Sequence, residues 1–157
     1  MASLEHRATR LVDQRPEVVH ARLLQLAARL RDEMPPVEPG TQAASMLGMS
    51  GPVAVEIVDK GPNRIELRTN QGRIRAEAAA DLAPTPDGRT NLTLAMAVQP
   101  QGFAANMMLG VALKTMPNVE RQVVEGIEAT LTDLATELAK PESEWDPAAW
   151  KPPRLQR

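Results

Sequence analysis

The chain has no cysteine and no tyrosine, a single phenylalanine, and two tryptophans that both fall near its C-terminal end. Each shortage removes a class of function. Without cysteine there are no disulfides, thiolate nucleophiles or thiolate metal ligands. Without aromatic faces there is no platform on which nucleic-acid bases can stack. A net charge of −2 with interspersed signs supplies no broad basic field, so no nucleic-acid partner is expected. No apolar run reaches the roughly 18 residues that a membrane-spanning helix needs. The opening MASLEHRATR has no apolar stretch after its charges, as a secretory signal would. A soluble cytoplasmic protein is the expectation. No histidine–carboxylate cluster has ligand spacing, so neither a metal nor another cofactor is expected.

What is present is order. At 157 residues the chain reads as one domain with a core built from Leu, Val, Ile, Met and Ala. Residues 3 to 12 alternate as a strand, with Leu4, Ala8 and Val12 sharing a face with His6 and Arg10. Pro16 suits a first helical turn. Val19, Leu23, Leu26, Ala27, Leu30 and Met34 then recur at helical spacing until Pro35 and Pro36. Residues 35 to 52 read as loop, with a candidate helical turn around Ala43 to Leu47. From Val53 to Gln99 four alternating runs are separated by Lys60-Gly61-Pro62-Asn63, Asn70-Gln71-Gly72 and Pro84-Thr85-Pro86-Asp87-Gly88, the pattern of an antiparallel meander. Phe103 to Met116 is apolar nearly all round, and Pro117 should break or kink the chain. Val119, Val123, Ile127, Leu131, Leu134 and Leu138 form the stripe of a long amphipathic helix over 119–139, with Glu120, Arg121, Glu125, Glu128 and Glu137 away from it. The ligand-scale domain spans 1–140. Residues 141–157 carry four prolines and read as a tail, either disordered or docked through Trp145 and Trp150.

Strand, helix, meander and long terminal helix, in that order, resemble the START-domain, pollen-allergen and polyketide-cyclase (SRPBCC) superfamily. The residues that carry the likeness are Arg15-Pro16-Glu17-Val18-Val19, the hairpin Leu82 to Leu94 (LAPTPDGRTNLTL), and the apolar run from Gly102-Phe103 into the helix ending near Leu138. The resemblance implies an α+β helix-grip fold, an antiparallel sheet wrapped around the long C-terminal helix. It also implies a cavity between the two for lipids, sterols, polyketides or other apolar molecules. Some members are cyclases or hydrolases and many are carriers. Two departures stand out. One longer helix occupies the place of two short ones, and about five strands are counted where six or seven are usual, which implies a shallower cavity.

Candidate site residues follow. Ala76, Ala78 and Ala80 leave space on an inward strand face, for a ligand or for a closely packed helix, and helix packing is slightly favoured. Met96, Phe103, Met107 and Met108 suit a pocket mouth or lid, since methionine adapts to varied apolar shapes, although ordinary core is the commoner role. Val123 and Ile127 would face the same space from the helix. His6 is a candidate base or anchor, and Arg10 a candidate inward anchor, while isolated histidines are more often structural. Arg64, Arg68, Arg73, Arg75 and Arg89 read as a solvated outer face among Glu66, Glu77 and Asp81. Three readings result: a binder of a small hydrophobic or amphipathic molecule, a cyclase- or dehydratase-type enzyme using His6 and Arg10, and an interaction module or homodimer pairing through the 103–116 segment.

Overall fold

The computed structural model describes residues 4–33, 36–41, 50–71, 74–102, 107 and 117–149. Its elements are β1 (Leu4–Val12), α1 (Pro16–Glu33), β2 (Glu56–Asp59), β3 (Arg64–Gln71), β4 (Ile74–Pro84), β5 (Thr90–Pro100), α2 (Pro117–Leu138) and a 3₁₀ turn (Glu142–Glu144). The strands form one antiparallel sheet of order β1-β5-β4-β3-β2. With α1 and α2 against one face, this is an α+β helix-grip fold. The run expected to begin at Val53 pairs only from Glu56, and the candidate turn at 43–47 lies outside the described residues.

Local chemistry explains the ends of the elements. Pro117 opens α2 instead of merely interrupting the chain, because the first helical position needs no N–H from it. Pro16 opens α1 in the same way, followed by Glu17 in the first turn and balanced by Arg31 in the last. Between β4 and β5, Thr85 and Arg89 pair through the Thr85 N–H (2.9 Å), and Gly88 takes a φ of 85° that a side chain would strain.

Residues opposite one another in antiparallel strands share a face, so the register sorts the sheet into two surfaces. The inner surface runs in rows across the strands. Val12–Thr90, Leu92–Leu82 and Ala8–Leu94–Ala80–Ile65 form the first three. Their core residues are buried beneath Val19, Leu23 and Leu26 of α1 and Leu131, Leu134, Ala135 and Leu138 of α2. The next rows, His6–Met96–Ala78–Leu67 and Val98–Ala76–Thr69, are only half-buried.

A charged group joins the two helices. Arg22 lies within the apolar stripe of α1, three residues after Val19, and is only 4 % exposed. Its guanidinium donates to the carbonyls of Leu138 (2.9 Å) and Lys140 (2.6 Å), at the C-terminal end of α2, and lies over the Trp145 ring, 4.7 Å from its centroid. Helix ends leave carbonyls without intrahelical partners and carry partial negative charge, so a cation is favoured there. The neighbouring positions on the same face of α1 extend the attachment. Gln25 accepts from Trp145 Nε1 (2.9 Å), and Arg29 donates to the Pro147 carbonyl (2.5 Å). The segment after α2 is thus laid along α1. Arg22→Met should leave these carbonyls without their donor and remove the contact with Trp145, lowering stability by about 2–4 kcal/mol in urea unfolding and shifting tryptophan emission to the red.

Candidate functional site

The half-buried rows of the inner surface form an apolar floor. Ala76 and Ala78 lie on it with Met96, Val98 and Leu67, while Ala80 lies one row further in, buried in the core under the helices. The alanine row therefore divides: close helix packing accounts for Ala80, and Ala76 and Ala78 lie beyond it. Ile127 of α2 is buried yet stands outside the contiguous core cluster. Val123 belongs to α2, but its side chain lies outside the described residues, as do Phe103 and Met108. Met107 is 56 % exposed. The gate expected from Phe103 to Met116 thus lies almost wholly outside the described residues.

Along the β1 margin the floor meets an imidazole, a guanidinium and a carboxylate. His6 and Arg10 are inner-face residues of β1, two rows apart, and both reach Glu128 on α2. His6 Nε2 is 3.0 Å from Glu128 Oε1. Arg10 donates to Glu128 Oε2, and its Nε donates to the Thr132 hydroxyl (3.2 Å). The hydrogen bonds from His6 and Arg10 hold the Glu128 carboxyl below its ordinary value of 4.5. Glu128 was expected on the solvated side of the helix. It stands one residue from buried Ile127, at the margin of the apolar stripe, where the edge strand passes. The presence of charged inward residues on β1 was the available signal for an acidic partner.

Thr69 adds a group that the sequence did not flag. It stands opposite Ala76 on the inner floor, and among the described residues its buried hydroxyl oxygen has no hydrogen-bond partner. Buried polar groups nearly always have partners, and leaving one unmade costs about 1–3 kcal/mol. Among the described residues no group of three or more His, Asp or Glu side chains is arranged to hold a metal ion, and no helix is long and apolar enough to cross a membrane.

The sheet also has a concavity on its other surface. A trough of about 400 Å³ lies on the outer face, with Ala79, Ala95 and Ala97 on its floor and Glu5, Arg7, Glu66 and Arg68 at its sides. The arginines expected on a solvated outer face are there: Arg64 grips both Asp81 oxygens (2.7 Å each), and Glu66 receives Arg64 (2.8 Å) and Arg68 (2.5 Å). These two donors lower the Glu66 pKa.

The sign of the Glu128 effect fixes a pH prediction. A carboxyl whose folded pKa is depressed adds stability that is complete above its unfolded value and is lost as pH falls through the folded one. Glu128→Gln should therefore flatten the fall in stability below about pH 4.5, measured as urea midpoints between neutral and acidic pH. An unchanged acid limb would separate Glu128 from that loss.

No family model matches the chain, and no curated protein sequence matches it. Solved structures do share its fold. Protein CV1439 from Chromobacterium violaceum is 16% identical, with a TM-score of 0.50 over 88% of this chain and 99% of that one. A START superfamily protein from Mycobacterium smegmatis is 14% identical, with a TM-score of 0.43 over 79% of this chain and 99% of that one. The Zhui aromatase/cyclase from a Streptomyces species is 12% identical, with a TM-score of 0.40 over 92% of this chain and all 100% of that one.

Proposed function

We propose that the chain binds a small hydrophobic or amphipathic molecule between the sheet and the first half of α2. The observation that carries this reading is the division of the inner surface. Its first rows are sealed by two helices, whereas Ala76, Ala78, Met96, Val98 and Leu67 form an apolar floor that is only half-buried. Covering apolar surface yields roughly 25 cal/mol per Å², so a ligand covering ~200 Å² of this floor gains about 5 kcal/mol before the cost of immobilising it.

Polar groups define the rest of the ligand. The Thr69 hydroxyl oxygen is buried without a partner among the described residues, so a hydroxyl or carbonyl oxygen of a ligand would pair with it once the side chains over it give way. At the opposite margin Arg10 and His6 are already engaged by Glu128, so that end favours a neutral hydrogen-bonding group over a free carboxylate. A lipid- or polyketide-like molecule with oxygen at one or both ends fits this description. One observation favours the enzymatic alternative. His6 paired with Glu128 is an oriented imidazole, the arrangement a cyclase or dehydratase would use to move a proton.

Native mass spectrometry of freshly purified protein, with extraction of anything bound, tests the carrier reading. A near-stoichiometric apolar molecule is expected. Ala78→Trp should then reduce its retention tenfold or more while keeping cooperative unfolding. Ala80→Trp, one row inward, should instead cost ~1–3 kcal/mol or more through overpacking. Thr69→Val should keep the fold and weaken retention of an oxygen-bearing ligand. An empty wild-type protein, together with the same destabilisation at Ala78 as at Ala80, would remove the site.

A further inference from the structure

We infer that the outer face of the sheet is a self-complementary docking surface for a second copy of this chain. The inference rests on the charge pattern around the outer trough. Across the strands β1, β5, β4 and β3, one outer row reads Arg7–Ala95–Ala79–Glu66, and the next reads Glu5–Ala97–Glu77–Arg68. The signs at the two sides are therefore crossed, positive over negative on β1 and negative over positive on β3. A face with this arrangement matches itself under a two-fold axis lying in the interface. With the axis along the strands, between β5 and β4, Arg7 meets Glu66 of the second copy and Glu5 meets Arg68. Ala95 then meets Ala79, and Ala97 meets Glu77. The flanking row Thr9–Thr93–Asp81–Arg64 places Thr93 over Asp81 and Thr9 over Arg64. No like charges face each other in these three rows, which is the condition for a C2 interface.

The floor is recessed, so the contact between copies is made chiefly by the charges at its rim. Alanine is depleted in strands, where β-branched residues serve better on an exposed face. Here Ala79, Ala95 and Ala97 lie at the bottom of a trough of about 400 Å³, bounded by longer side chains on β1 and β3. Two such sheets pack aligned, like the halves of a sandwich. Glu5 and Arg7 are exposed, whereas Glu66 and Arg68 already pair with each other, so each contact across the interface adds a charge to an existing ion pair. Four strands spaced about 4.8 Å apart give a footprint of roughly 500 Å² per copy. That is below the ~800 Å² per partner of a standard interface, so the dimer is weak and reversible.

Sedimentation velocity from low micromolar to several hundred micromolar protein tests the inference. A concentration-dependent dimer is expected, weakened by salt as ion pairs across the interface are screened. Arg7→Glu should raise the dimer Kd tenfold or more, since it sets two carboxylates against each other. Ala95→Arg, which raises a long charged side chain from the floor of each copy toward the other, should weaken the dimer tenfold or more, with circular dichroism confirming that both variants remain folded. Combining Arg7→Glu with Glu66→Arg should restore affinity lost by Arg7→Glu alone. A monomer at every concentration would overturn the inference. So would a dimer indifferent to Ala95→Arg and lost in Met107→Asp, which would move the interface to the 103–116 segment.

Discussion

The buried guanidinium of Arg22 fixes where the two helices can sit. It enters from α1 and ends on the carbonyls at the C-terminus of α2, so the two helices are pinned at one end of the sheet. Burying a charge is costly unless it is hydrogen-bonded and paired. Arg22 meets that condition with helix-end carbonyls and an aromatic face in place of a carboxylate. The rest follows by geometry. With the C-terminal half of α2 held over the first rows, the helix is carried along β1, where Glu128 meets His6 and Arg10. The extent of the sealed core is thus set at the far end of α2, by a contact that lies outside the apolar floor.

That dependence also explains what the sequence could reveal. Period-two alternation made β3, β4 and β5 readable, and the 3.6-residue stripe made both helices readable, because each is a local consequence of burying one face. The division of Ala76, Ala78 and Ala80 between floor and core was not readable. It depends on how far along the strands the helices reach, which no local pattern records. Arg22 itself left a signal. A cation between Val19 and Leu23, in register with Leu26, stands inside an apolar stripe, and a charge in that position needs a partner. Glu128 left a weaker one, because a residue at the margin of a stripe faces solvent or an edge strand according to the tertiary placement. Thr69 left none, since an alternating strand accepts threonine on either face.

The two surfaces of the sheet use charge differently. On the outer face, arginines and carboxylates alternate along and across strands, and most are well exposed. Such pairs contribute about 0–1 kcal/mol each, so their arrangement matters more for what approaches the face than for holding it together. On the inner face one carboxylate serves an imidazole and a guanidinium at the lip of an apolar surface. A shared carboxylate of this kind orients its partners. It fixes the imidazole of His6 and the fork of Arg10 against the helix, leaving the floor itself uncharged.

The same sharing bears on the choice between carrier and enzyme. Glu128 is held below its ordinary pKa by both neighbours, so it stays ionised near neutrality and is a poor proton acceptor there. Any proton transfer at this lip would then fall to the imidazole of His6, the other group that Glu128 holds with a ring nitrogen able to accept a proton. Its Nε2 is turned toward Glu128, which leaves Nδ1 as the atom to reach a substrate. Catalysis would therefore require the reacting atom to lie at the β1 margin, within hydrogen-bond distance of a nitrogen on the edge strand. A molecule lying on Ala76, Ala78 and Met96 with its oxygen on Thr69 has its polar end across the floor from that nitrogen. Under the proposed binding mode, a molecule anchored at Thr69 would meet His6 only if it also spanned the floor, so the length of any bound molecule would bear on the choice between the two roles.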